Sequence, residues 1–201
     1  HPRLQRFIAE DPIGLLSGSF NFYAYVDNNP IKSVDPLGLE TAIVVNGPVA
    51  SNPLGHTAIA TTGSGVYSFG NNPDPGSSNH SYMGTSFSNY MIDQSLRRNS
   101  VVYILPTTAD QELMINAYLK GLTSTPNVFP DNCVGRVTGA LGVAGINPTE
   151  PYGPFQVPVQ PIPHSLLVAL QQMVGAGNAT SVSISQYTRV IPPALQSFNP
   201  R

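Results

Sequence analysis

The chain has 201 residues, 41% of them apolar and only 10% charged, with 20 prolines and 18 glycines. Apolar segments recur throughout, which excludes a disordered polymer; the net charge of −2, with Arg97-Arg98 as the only adjacent basic pair, disfavours a nuclease or other phosphate binder. One cysteine, Cys133, rules out an intrachain disulfide, and no apolar run approaches the about 20 residues needed to cross a bilayer.

The chain opens without a signal-peptide pattern after His1, so export is expected to depend on another carrier. Residues 1–39 carry two Asp-Pro-x-Gly turns, Asp11-Pro12-Ile13-Gly14 and Asp35-Pro36-Leu37-Gly38. In each, Pro presets φ and Gly accepts a positive φ. Between them lies Asn21-Phe22-Tyr23-Ala24-Tyr25-Val26, followed by Asn28-Asn29-Pro30. This arrangement resembles the end of the Rhs repeat-associated core of polymorphic toxins, departing from it at Leu16-Ser17-Gly18-Ser19. The resemblance implies an upstream Rhs shell and an aspartyl self-cleavage by Asp11 and Asp35. It places the cut after Leu39 and releases residues 40–201 as a toxin domain. Two close carboxylates suit that chemistry, since they can share one proton. The resemblance further implies a secreted effector, of the kind type VI secretion delivers into a rival or host cell, and a cognate immunity protein.

From Glu40 onward there are seven acidic and six basic side chains. Thr41 to Asn46 reads as a buried strand, and His56 to Thr62 and Val66 to Asn71 read as a hairpin around Gly63-Ser64. Residues 72–81 form a polar loop. Phe87 to Arg97 reads as a helix carrying Tyr90, Met91 and Gln94, and Ser100 to Leu105 as a strand. Thr108 and Gln111 make a capping box for a helix that Gly121 closes. A second helix spans Asn132 to Leu141, with Asp131 or Asn132 as its cap. Six prolines make residues 147–163 irregular. A helix over Ser165 to Val174 and a strand over Ser181 to Ile191 follow. The order predicts an α+β fold, an antiparallel sheet with packed helices.

Two places can carry chemistry. Cys133 falls in the first turn of a helix, where free N–H groups and the dipole favour a thiolate, and where the turn capped by Asn132 can receive an oxyanion. His56 begins a hairpin whose turn places it opposite Asn71, an amide able to fix its tautomer; a loop one residue longer or shorter makes the partner Asn72 or Gly70. Ala58 and Ala60 share the His56 face and predict a close approach by the Cys133 helix. Among the remaining candidates, His80 reads as a solvated loop residue, His164 as a cap for the Ser165 helix, and Arg136 as a surface residue. No two histidines stand at metal-ligand spacing, so no metal or cofactor is expected.

The segments GHTAIAT, GVYSFG and DNCVGRVTGAL resemble circularly permuted papain-like, NlpC-type cysteine hydrolases, in which the His strand precedes the Cys helix. The resemblance implies Cys133 as nucleophile and His56 as base, acting on a protein or peptide amide as protease, amidase or glutamine deamidase. Two other payload classes compete. An ADP-ribosyltransferase needs a catalytic Glu, for which only Glu40, Glu112 and Glu150 are available after residue 39. A non-catalytic, membrane-active payload fits the low charge and the apolar helix at 165–174.

Overall fold

A computed structural model describes residues 38–69, 82–122, 132–152 and 155–201. The chain divides between Gly38 and Leu39, and the unit Leu39–Arg201 carries the fold described below. Asp11, Asp35, Asn71 and His80 lie outside the described residues, as does the 72–81 loop.

Strand β1 (Glu40–Asn46) is buried along almost its whole length. It lies inside a sheet with β2 (His56–Thr61), β3 (Gly65–Tyr67), β4 (Met83–Thr85), β5 (Ser100–Pro106) and β8 (Thr180–Ile184). The order is β4-β3-β2-β1-β5-β8, and every pairing is antiparallel. Apolar residues occupy both faces. Ile43, Val45, Ile59, Tyr67, Tyr103 and Leu105 join one core, where the helices α2 (Ala109–Leu122), α3 (Cys133–Val143) and α4 (Pro163–Gly175) add Leu119, Val137 and Leu166. Ala42, Val44, Ala58, Ala60 and Val102 join a second core with Phe87, Tyr90 and Met91 of α1 (Phe87–Ser95) and Phe198 of a C-terminal 3-10 helix. The domain is therefore an antiparallel sheet between two layers of helix, an α+β architecture. This explains why β1 lacks strict alternation: a strand covered on both sides reads as a continuous apolar run.

Several boundaries differ from the expectation. The final strand stops at Ile184, and Pro193–Phe198 turns into a 3-10 helix. Residues expected to be irregular form a hairpin of β6 (Thr149–Tyr152) and β7 (Phe155–Pro158). In a two-stranded ladder each strand is an edge, so prolines with no N–H to give are tolerated. The Thr108 box forms in both directions, Gln111 N–H to Thr108 Oγ1 at 3.3 Å and Thr108 N–H to Gln111 Oε1 at 2.9 Å, but Gly121 lies inside α2 and does not close it. Helix α4 starts at Pro163 with Ile162 as its cap, which leaves His164 within the first turn and not as a cap.

The hairpin register also differs. Ile59 faces Tyr67, Ala60 faces Val66 and Thr61 faces Gly65, one position from the register that set His56 against Asn71. The cause is a three-residue connection, Thr62 to Ser64, followed by Gly65 at φ +76°. Hairpins with a left-handed residue after the turn carry one more residue than the two-residue type.

Candidate active site

Asn132 starts α3. Its backbone is extended, and its side-chain Oδ1 accepts the Gly135 N–H at 2.9 Å. Its carbonyl accepts the Arg136 N–H at 3.0 Å, and its Nδ2 donates to Pro161 O at 2.8 Å, which ties the helix start to the segment before α4. Cys133 is the first helical residue, and the N–H groups of Cys133 and Val134 precede those the cap takes up. Val134, Val137 and Leu141 turn into the core and leave the partly buried Cys133 at its margin. Asn132→Ala should cost about 1 kcal/mol of stability through the lost cap. Thermal unfolding of the variant checks this.

His56 is the first residue of β2 and sits across from Asn46 of β1. Gly55 before it has φ +82°, and a Cβ at that position would lie 2.5 Å from the Asn46 carbonyl oxygen. Only glycine fits that approach. Gly55→Ala should therefore destabilise the protein by roughly 1–3 kcal/mol and displace His56. A lower melting temperature together with slower thiol modification at neutral pH is the expected readout.

The alanine face does not receive the Cys133 helix. Ala58 and Ala60 pack beneath α1, while α3 covers the opposite face with Ile59. Side chains alternate along a strand, so His56 shares the parity of the alanines and Thr57 that of Ile59. The two residues nonetheless flank one sulfur, because both stand where β2 begins. Burial alone would raise the Cys133 thiol. The His56 ring, as hydrogen-bond partner and as a charge, opposes this, and so do the Thr57 hydroxyl and backbone N–H. Together they bring the thiol down from 9.0 to about 7. Thr57 is 1% exposed, and by strict donor–acceptor geometry its Oγ1 has no partner, although it favours the sulfur anion. A hydroxyl proton rotates, so Thr57 can turn its proton towards the sulfur anion.

The residue beside the His56 ring is Ser68: its Oγ lies 2.8 Å from Nε2. Behind it is a buried polar chain that the sequence did not suggest. Tyr90 Oη accepts from Asn46 Nδ2 at 2.7 Å, and Asn46 Oδ1 accepts from Ser100 Oγ at 2.6 Å. Asn46 and Ser100 were legible only as the polar ends of apolar strands, and Tyr90 only as a core position of α1. Burial pushes the Tyr90 phenol up to about 12 despite its bonds to Ser68 and Asn46.

Arg136 is not a surface residue. It is 2% exposed, and its guanidinium lies 4.7 Å from the centroid of the Phe69 ring. Glu112 is buried and accepts from Thr62 Oγ1 at 3.0 Å, from the Thr62 N–H at 3.3 Å and from Thr107 Oγ1 at 3.2 Å. Desolvation raises its carboxyl. Around the expected cut site, the Leu39 carbonyl accepts the Thr107 N–H at 2.9 Å and the Glu40 N–H donates to Thr62 Oγ1 at 2.9 Å. Among the described residues, no three His, Cys, Asp or Glu side chains group as metal ligands, and no helix is long and apolar enough to cross a membrane.

No family model matches the chain, and no solved structure matches it.

Proposed function

We propose that the protein is a cysteine-dependent hydrolase or acyl-transfer enzyme, carried as the toxin domain of an Rhs effector. The observation that carries the reading is the His56 ring beside a thiol whose pKa is lowered to about 7 at the start of a helix. In the reaction, the Cys133 thiolate attacks an amide carbonyl. A C–S bond forms, and the carbonyl electron pair moves onto oxygen, where N–H groups at the α3 start stabilise it. His56, holding the former thiol proton, passes it to the leaving amine as the C–N bond breaks. His56 then takes a proton from water, hydroxide attacks the thioester, and the C–S bond breaks to restore the thiolate.

Substrates of this class are a peptide bond, a glutamine side chain or a peptidoglycan stem peptide. A permuted papain-like arrangement fits the order of elements, with a His strand before a Cys helix and that helix on an antiparallel sheet. The engagement of Glu112 by threonines speaks against an ADP-ribosyltransferase built on that residue. Self-cleavage by Asp11 and Asp35 after Leu39, delivery into a target cell and an immunity partner complete the proposal.

Incubation of the full chain with p-nitrophenyl acetate, a generic acyl donor, tests the reading. A burst of one equivalent of nitrophenolate and an acetyl adduct mapped to Cys133 are expected. Acetylation spread over surface amines, with none on Cys133, would overturn it.

A further inference from the structure

We propose that Ser68 is the positioning residue for His56, held in place by a buried Tyr90–Asn46–Ser100 chain that takes the part an amide or carboxylate usually plays. The inference rests on the cysteine-hydrolase reading of Cys133 and His56.

A base that receives a thiol proton needs one ring nitrogen free and the other engaged as N–H. Here Nε2 faces Ser68 Oγ at 2.8 Å, which leaves Nδ1 for the sulfur. When His56 is an imidazolium, Nε2–H must donate, so Ser68 Oγ accepts and its own proton must go elsewhere. Tyr90 Oη is the recipient, bonded to Ser68 and also accepting from Asn46. Ser100 in turn donates to Asn46 Oδ1, which turns the Asn46 amide N–H towards Tyr90. Ser68 and Asn46 then both direct a donor towards the one phenol oxygen. The Ser68 backbone is fixed too, since its N–H donates to Tyr82 O at 2.8 Å. The register explains the assembly: Asn46 lies across from His56 on one side and from Ser100 on the other.

Polar groups are costly to bury unless they are hydrogen-bonded. Asn46, Tyr90 and Ser100 are at most 3% exposed, and a purely apolar layer between α1 and the sheet would avoid that demand. Their alignment behind one histidine ring gives them a purpose beyond packing. The phenol also lies in the field of Arg98 and Cys133, so a charge change at the sulfur reaches it.

The test uses the full chain with Ser68→Ala, Ser68→Thr and Tyr90→Phe. One readout is the pH profile of Cys133 alkylation by iodoacetamide; the other is the ¹⁵N shifts of the His56 ring, which report its tautomer. The wild type should hold its neutral ring proton on Nε2. In Ser68→Ala the tautomers should mix and alkylation at pH 7 should fall about fivefold, the loss of thiolate expected when a thiol half ionised at that pH becomes a tenfold weaker acid. Ser68→Thr should restore both, and Tyr90→Phe should show the same change in smaller measure. A folded Ser68→Ala protein with an unchanged tautomer and alkylation profile would overturn the proposal. If that variant does not fold, Tyr90→Phe with an unchanged tautomer overturns it. A wild type that alkylates only near pH 9 would sink the hydrolase reading, while the ring shifts would still decide the role of Ser68.

Discussion

Replacing Cys133 by alanine is expected to abolish turnover of an activated ester and growth inhibition in target cells, with a rate loss of about 10³-fold or more. The nucleophile is the one group in the mechanism whose part no neighbour can take. Cys133 is the only cysteine in the chain, so no other thiol can stand in. His56→Ala should fall nearly as far, because the two residues act as one unit and their losses are not additive. The double variant should be no worse than Cys133→Ala. Both single variants should melt close to the wild type, since Cys133 is at the margin of its core and His56 is only partly buried. Undiminished toxicity of Cys133→Ala would remove catalysis by this thiol as the cause.

The second large effect is on stability. Ile59→Ala should cost about 3 kcal/mol, in the usual range for a buried Ile cut to Ala. For a domain of this size that lowers the melting temperature by roughly 6–12 °C. Ile59 is fully buried on β2 beneath α3, in the core shared by Val134 and Val137. The cavity therefore opens between the strand that carries His56 and the helix that carries Cys133, and activity should drop well below the new melting temperature. By contrast, Ala60, on the other face of the same strand, packs against α1. A change at Ala60 should reach Cys133 only through His56 and its polar partners.

The two elements bearing the proposed catalytic pair were legible because strong local signals bound them. Gly63-Ser64 marks the turn that ends the His56 strand, and Asn132 caps the Cys133 helix with the geometry its residue type predicts. What failed depended on counting residues through a turn. The loop from Thr62 to Ser64 is one residue longer than a two-residue hairpin, and that single residue set Ile59, Ala60 and Thr61 one position off the expected register. The alanine face was misassigned for a related reason: both faces of β2 are apolar, so periodicity cannot say which helix covers which face. Ser68, Tyr90, Asn46 and Ser100 were missed because they meet only in three dimensions, from two strands, a helix and the residue after β3, and none carries a spacing signal. Arg136 was read as exposed because a lone Arg usually is, whereas here the Phe69 ring covers it.

The pH dependence of Cys133 alkylation in the wild type and in His56→Gln tests the central claim most directly. The sign is fixed by the lowered thiol. A thiol that ionises at about 7 when folded and at its ordinary 9.0 when unfolded makes the fold more stable as pH rises from 7 to 9, and loses that stability as pH falls through 7. The wild-type rate should rise with a midpoint near pH 7, and the midpoint should move towards 9.0 once the imidazole is gone. A wild-type midpoint already near 9.0, or one that His56→Gln leaves in place, would contradict the pairing on which the proposed chemistry rests.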